Sequence, residues 1–251
     1  MQLKIAFPRL AACAIGLVAA IPANAADQWA GQTFLSNYSQ LQPIPRSRDG
    51  NDYAFVVPDE AKLAGRYRKV MLDQPEVFIS PRSPYKGAKP EDVAALAGVV
   101  RSTIDAALKE RGYVLVDQPG TDTLYVRLAV TDLQIQKKKR NLLAYTPVGF
   151  VVDAGVKALQ GFMDKYDLLD VALQAEIHDS TSEQVLAAAV LQRGSSAAAA
   201  EPLSFDTVVA VTNELGERFA CRLDNSYVQA AQRIDCADPA ARKSRPPVVG
   251  H

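Results

Sequence analysis

The chain has 251 residues, 48% of them hydrophobic, and its 28 Lys plus Arg balance 28 Asp plus Glu. That length and apolar content support a sizeable core, while the neutral balance excludes bulk attraction for nucleic acid. Three cysteines and two histidines leave little material for a zinc site.

Residues 1–25 read as a cleavable leader. Lys4 and Arg9 form a basic start, Ala11 to Ile21 an apolar middle, and Ala23-Asn24-Ala25 a small-residue cleavage site, so the mature chain is expected to begin at Ala26 in a periplasm. The apolar run is too short to span a bilayer, and no later segment offers about 20 uninterrupted apolar residues. Leu10-Ala11-Ala12-Cys13 also matches a lipobox. Arg9 interrupts the stretch before Cys13 and the better apolar run follows it, so a membrane-anchored lipoprotein at Cys13 is the lesser reading. Without the leader's two basic residues, 26 Lys plus Arg face 28 acids. The one basic run, Lys137-Lys138-Lys139-Arg140, is too short to track a phosphate backbone.

In the mature chain, Phe34, Leu35, Tyr38 and Leu41 recur at helical spacing. They predict a short helix ahead of a polar, turn-rich connection, the whole occupying 26–66. Lys69 to Ile79 reads as extended and interrupted at Pro75. Pro90-Glu91-Asp92 opens a long helix with an apolar stripe of Val93, Leu96, Val100, Ile104, Ala107 and Leu108, closed by Lys109, Arg111 and Gly112. Tyr113 to Asp117 is a strand. Next, Leu124, Val126, Leu128 and Val130 alternate with Tyr125, Arg127 and Thr131, which predicts an antiparallel sheet with one face wet. Val171, Leu173, Ala175 and Ile177 begin a hairpin that turns at Asp179 to Ser182 and returns through Gln184 to Gln192.

Phe205, Val208, Val209, Thr212, Leu215, Phe219 and Leu223 mark a second long helix. The proline-bearing stretch 237–251 predicts a disordered tail. Together these elements predict an α+β domain over 67–236, a two-layer sandwich whose mostly antiparallel sheet of about five strands carries two long helices on one face. Cys221 and Cys236, the cysteines left after leader removal, are expected to pair in an oxidising compartment.

Phe34 to Leu41, Tyr67 to Asp73 and Gly120 to Leu133 together resemble a domain-of-unknown-function family of exported bacterial proteins, many described as lipoproteins. The resemblance spans most of the mature chain. It implies an envelope protein and supplies no activity and no catalytic residue.

No nucleophile elbow, phosphate-cradling loop or metal helix occurs, so neither a cofactor nor a metal is expected. His178 sits on a strand's polar face beside a turn and reads as a surface residue rather than a base. Asp167, Asp170, Glu176 and Asp179 fall close in sequence, which keeps a secreted hydrolase with carboxylates converging in the fold as the alternative. The favoured reading is a non-catalytic component acting in binding, assembly or scaffolding. Its partner would be another envelope protein or the membrane surface.

One segment, 141–163, fits this scheme least. Val148, Val152, Val156 and Leu159 share a helical face beside the basic run Lys137 to Arg140, a pattern that suits either core packing or contact with an anionic surface. Core packing is the commoner outcome for such a stripe.

Overall fold

The computed structural model describes residues 32–44, 52–56, 66–138, 154–192 and 202–244. The expectations for the leader, Cys13, Lys139, Arg140, Val148 and Val152 lie outside those residues.

In chain order the strands are β1 (Gln42–Pro43), β2 (Tyr53–Val56), β3 (Lys69–Leu72), β4 (Glu76–Ile79), β5 (Val114–Leu115), β6 (Thr123–Lys137), β7 (Tyr166–Asp179) and β8 (Val185–Gln192). The helices are α1 (Pro90–Glu110), α2 (Ala154–Met163), α3 (Phe205–Ser226) and α4 (Pro239–Ser244). The α+β class holds, but the sheet has eight strands where about five were expected. It is also mixed rather than mostly antiparallel. Neighbours run β1-β2-β8-β7-β6-β3-β5, and β4 pairs with β6 beyond the end of β3. The β1–β2, β2–β8, β7–β8 and β6–β7 pairings are antiparallel, whereas β3 and β4 run parallel to β6, and β5 parallel to β3. Helix α1 carries the chain between β4 and β5, and a parallel return needs a crossover of that kind.

Helix α1 starts as its sequence dictates, with Pro90 at its first position and Glu91 and Asp92 in the first turn. It ends in a Schellman motif: Tyr113 N donates to Leu108 O, Gly112 N donates to Lys109 O, and Gly112 takes φ 86. Its stripe of Leu96, Val100, Ile104 and Leu108 packs with Phe219 and Leu223 of α3 onto Leu124, Val126, Leu128 and Val130 of β6. The two helices approach closely at Gly216, where a Cβ would lie 3.0 Å from Thr103 Cγ2.

Buried ion pairs fasten the layers. Asp224 of α3 accepts from Arg111 and, at 3.0 Å, from Tyr113 Oη just beyond α1. Asp52 pairs with Arg218 and, at 3.0 Å, with Arg222, tying the start of β2 to α3. Cys221 and Cys236 are bridged with their Cα atoms 5.8 Å apart, which holds the chain after α3 against that helix.

Three further expectations need correction. Residues 34–41 form bends and a turn rather than a helix. Asn37 Oδ1 accepts from Ser39 N at 2.9 Å, a local bond that competes with helical pairing, and Phe34, Leu35 and Leu41 bury against Ala129, Ala188 and Val190. With Gln32 and Thr33 before it, this segment forms the strap, residues 32–41, which covers part of the sheet face expected to be wet. The expected tail contains α4, because Arg242 is buried and bonds to Glu217 at 3.2 Å and to Cys236 O at 2.7 Å. Finally, the strand read at 113–117 shrinks to β5, since only Val114 and Leu115 find ladder partners on β3.

Candidate functional site

The strap face is built from the residues of β6 and β7 that point away from the helices. Register places Arg127 opposite Glu176 and Tyr125 opposite His178, while Ala129 faces Gln174. Opposed charges across a ladder attract, and here the strap removes Glu176 from water while the Arg127 side chain stays 30% exposed. Glu176 is 1% exposed and Gln174 fully buried.

Glu176 gathers four donors. Ser36 contributes its backbone N at 2.6 Å and its Oγ at 3.1 Å, and Arg127 Nη1 and His178 Nε2 each stand at 3.1 Å. Burial pushes the Glu176 carboxyl upward, but the bonds from His178 and Ser36 outweigh it and leave the group below its ordinary value. His178 moves the other way. Its bond to Glu176 raises it above 6.5 against the opposing effect of burial, helped by Nδ1, which lies 3.0 Å from Glu183 O.

Both ring nitrogens therefore face acceptors, a carboxylate and a carbonyl. When protonated, the ring donates to both of them. Ser36 Oγ donates to Glu176 rather than to His178, so serine, histidine and acid do not form a relay. The expectation of a surface histidine is corrected: His178 is 9% exposed and belongs to a clasp.

The acids expected as a possible converging group go to separate partners. Asp167 lies 3.9 Å from Lys138 Nζ, and Asp170 caps Val171 N at 2.9 Å. Asp179 accepts from Tyr67 Oη at 2.7 Å, from Arg66 at 2.9 Å and from Thr181 Oγ1 at 2.7 Å, closing the β7–β8 turn. Burial raises its carboxyl, and the bonds from Thr181, Tyr67 and Ser182 N overcome that and hold it well below the usual range. Among the described residues no cluster of three or more His, Cys, Asp or Glu could hold a metal ion.

Beside the clasp opens a cleft of about 210 Å³ lined by strap residues Gln32, Phe34 and Tyr38, by Phe78 and Pro81 at β4, and by Asp132 of β6. A polar chain through buried Gln174 links three of its lining residues, Gln32, Tyr38 and Thr131. Tyr38 Oη donates to Gln174 Oε1 at 2.8 Å, and Gln174 Nε2 donates to Thr131 Oγ1 at 3.2 Å and to Gln32 Oε1.

Asp132 is the residue that sequence reasoning missed. It has φ 50 within β6, at a bulge where three residue steps of β6 oppose two of β7. The signal was present in the apolar spacing. Core residues of β6 fall at 124, 126, 128 and 130, then shift to 133 and 135, so one extra residue must leave the alternation between them.

In the segment 141–163, Leu159 is 1% exposed and belongs to the core, so its methyl groups serve the fold rather than a surface. Val156 falls within α2, its side chain outside the described set. Lys137 Nζ lies 5.9 Å from the centre of the Tyr85 ring, and Lys138 Nζ donates to Met163 O at 3.2 Å. No described helix is long and apolar enough to cross a membrane.

The model of a family described as a protein of unknown function, DUF3313, matches residues 30–219. No curated protein matches the sequence. Among solved structures, the chain is 11% identical to the PelC dodecamer of Paraburkholderia phytofirmans, over 60% of this chain and 86% of that one, with a TM-score of 0.29. It is also 11% identical to a neuraminyllactose-binding hemagglutinin homologue of Helicobacter pylori, over 61% of this chain and 81% of that one, at 0.30. Likenesses this remote carry no statement about what the chain does.

Proposed function

We propose, for a chain that belongs to the DUF3313 family and so inherits no activity from it, an exported, non-catalytic role in the bacterial cell envelope, carried out by binding or assembly. The observation that carries this reading is the closed clasp beside an open cleft. Glu176 and His178, the acid and base nearest to a catalytic pair, are spent on bonds that hold the strap. The adjoining cleft presents aromatic, amide and carboxylate groups that are less committed. Sites of that composition suit recognition, where a few polar groups orient a ligand against apolar walls.

Export is supported by the leader pattern of residues 1–25 and by the bridge between Cys221 and Cys236, a bond that persists in oxidising compartments. Release at Ala26 is favoured over lipidation at Cys13. The partner is another envelope component or the membrane surface, and nucleic acid is disfavoured by charge. The test is fractionation of cells expressing the full chain, with cross-linking in intact cells. Recovery in the periplasmic fraction with specific cross-linked partners supports the proposal. Retention in the cytoplasm with both thiols open to alkylation overturns the address, and turnover of a substrate that is lost in Glu176→Gln overturns the non-catalytic role.

A further inference from the structure

We propose that the cleft under the strap takes a small organic ammonium ion, which replaces Arg82 beside Asp132. This rests on the binding reading above and adds the chemistry of the ligand.

The bulge in β6 sets Asp132 outside the strand's alternation, where its carboxylate lines the cleft. A left-handed, non-glycine residue inside a long strand is held there by the ladders on either side, and such positions concentrate at functional sites. The Asp132 carboxylate is bound loosely. Gln32 Nε2 stands 3.4 Å away, and Arg82 Nη2 at 3.6 Å belongs to a side chain that is 73% exposed. Glu176, by contrast, holds all its donors within 3.1 Å. An arginine so solvated contributes little through its ion pair, so another cation can take its place.

The walls supply the rest of the fit. Phe34 and Phe78 meet edge to face at 6.4 Å, and Phe78 remains 39% exposed. An alkylammonium ion sets its charge against the carboxylate and its stem against Phe78, since Arg127 Cζ already sits 4.8 Å from the centre of the Phe34 ring. An anion would meet the charge of Asp132, and a neutral alcohol would gain the walls alone. A volume of about 210 Å³ limits the occupant to a small molecule. Because Gln32, Thr33, Phe34 and Tyr38 all come from the strap, an occupant also fastens the strap to the sheet.

The test is calorimetric titration of the full chain at low salt with n-butylammonium, n-butanol and butyrate as probes. Butylammonium is expected to bind at least tenfold more tightly than the other two. Asp132→Asn should remove that preference, and its fold should survive because asparagine tolerates the left-handed region as well as aspartate. Arg82→Ala, at an exposed position, should tighten butylammonium threefold or more by removing the competing cation. Phe78→Ala should weaken it. Equal affinity for the three probes, an unchanged preference in Asp132→Asn, or no tightening in Arg82→Ala overturns the assignment. Conversion of a probe to product would instead overturn the non-catalytic reading on which it rests.

Discussion

Glu176 concentrates the consequences of burial in a single carboxylate. Removing it in Glu176→Ala leaves His178 without its acidic partner and Arg127 with only Glu76, and breaking a buried ion pair from one side costs roughly 3 kcal/mol. Urea unfolding should show that loss. The same residue sets a pH window. A histidine raised above 6.5 on folding contributes stability that is complete below 6.5 and is lost as pH rises through its higher folded value. A glutamate lowered below 4.5 contributes stability that is complete above 4.5 and is lost as pH falls through its lower folded value. The clasp therefore contributes its full stability between 4.5 and 6.5. Melting temperature should decline above that range in the parent, and in His178→Gln the part of the decline due to this ring should vanish. An identical alkaline decline in the variant would assign the effect to another group.

At the scale of elements, legibility followed the length and punctuation of each segment. Helices α1 and α3 carry 21 and 22 residues of apolar periodicity, and the Pro90 and Gly112 boundaries of α1 are chemically explicit. Strands β1 and β2, of 2 and 4 residues, are too short to express an alternation, and they exist because neighbouring strands pair with them. Parallel direction was hidden for a different reason. Alternation reports which face is buried, while strand direction is set by the crossover through α1. The strap misled because Phe34, Leu35, Tyr38 and Leu41 have helical spacing yet find their burial against the sheet. The contact between α1 and α3 gives a prediction at this scale. Gly216→Val would drive a branched side chain into Thr103, 3.0 Å from where its Cβ begins, and overpacking of that kind costs about 1–3 kcal/mol. Thermal unfolding should show the loss, and pairing the change with Thr103→Ser, which deletes the facing methyl, should restore part of it.

Among the described residues the molecule is a sheet covered by helices on one face and by a thin strap on the other, and the two hydrophobic clusters they form differ greatly in size. The larger cluster includes α1, α3 and most of β6 and β7. The smaller one depends on Phe34, Leu35 and Leu41. Removing residues 26–41 should leave the helix-backed core folded while exposing Ala129, Ala188 and Val190, so such a truncation should bind a hydrophobic dye and melt earlier in one cooperative step. The disulfide works at the opposite end of the chain, joining α3 to the segment that leads into α4. With 15 residues separating the cysteines, a chain-entropy argument assigns the bridge about 3 kcal/mol. That stability depends on the compartment, since a reducing cytoplasm withholds it and a periplasm supplies it. Protein recovered after export should therefore begin at Ala26 and weigh two hydrogens less than the same reduced chain. It should also outlast the Cys221→Ser, Cys236→Ser double variant in urea by that amount. Intact-mass measurement with alkylation before and after reduction separates the possibilities. An acylated Cys13 start would replace the free mature chain with an anchored one, and free thiols in the exported protein would remove the bridge from its stability.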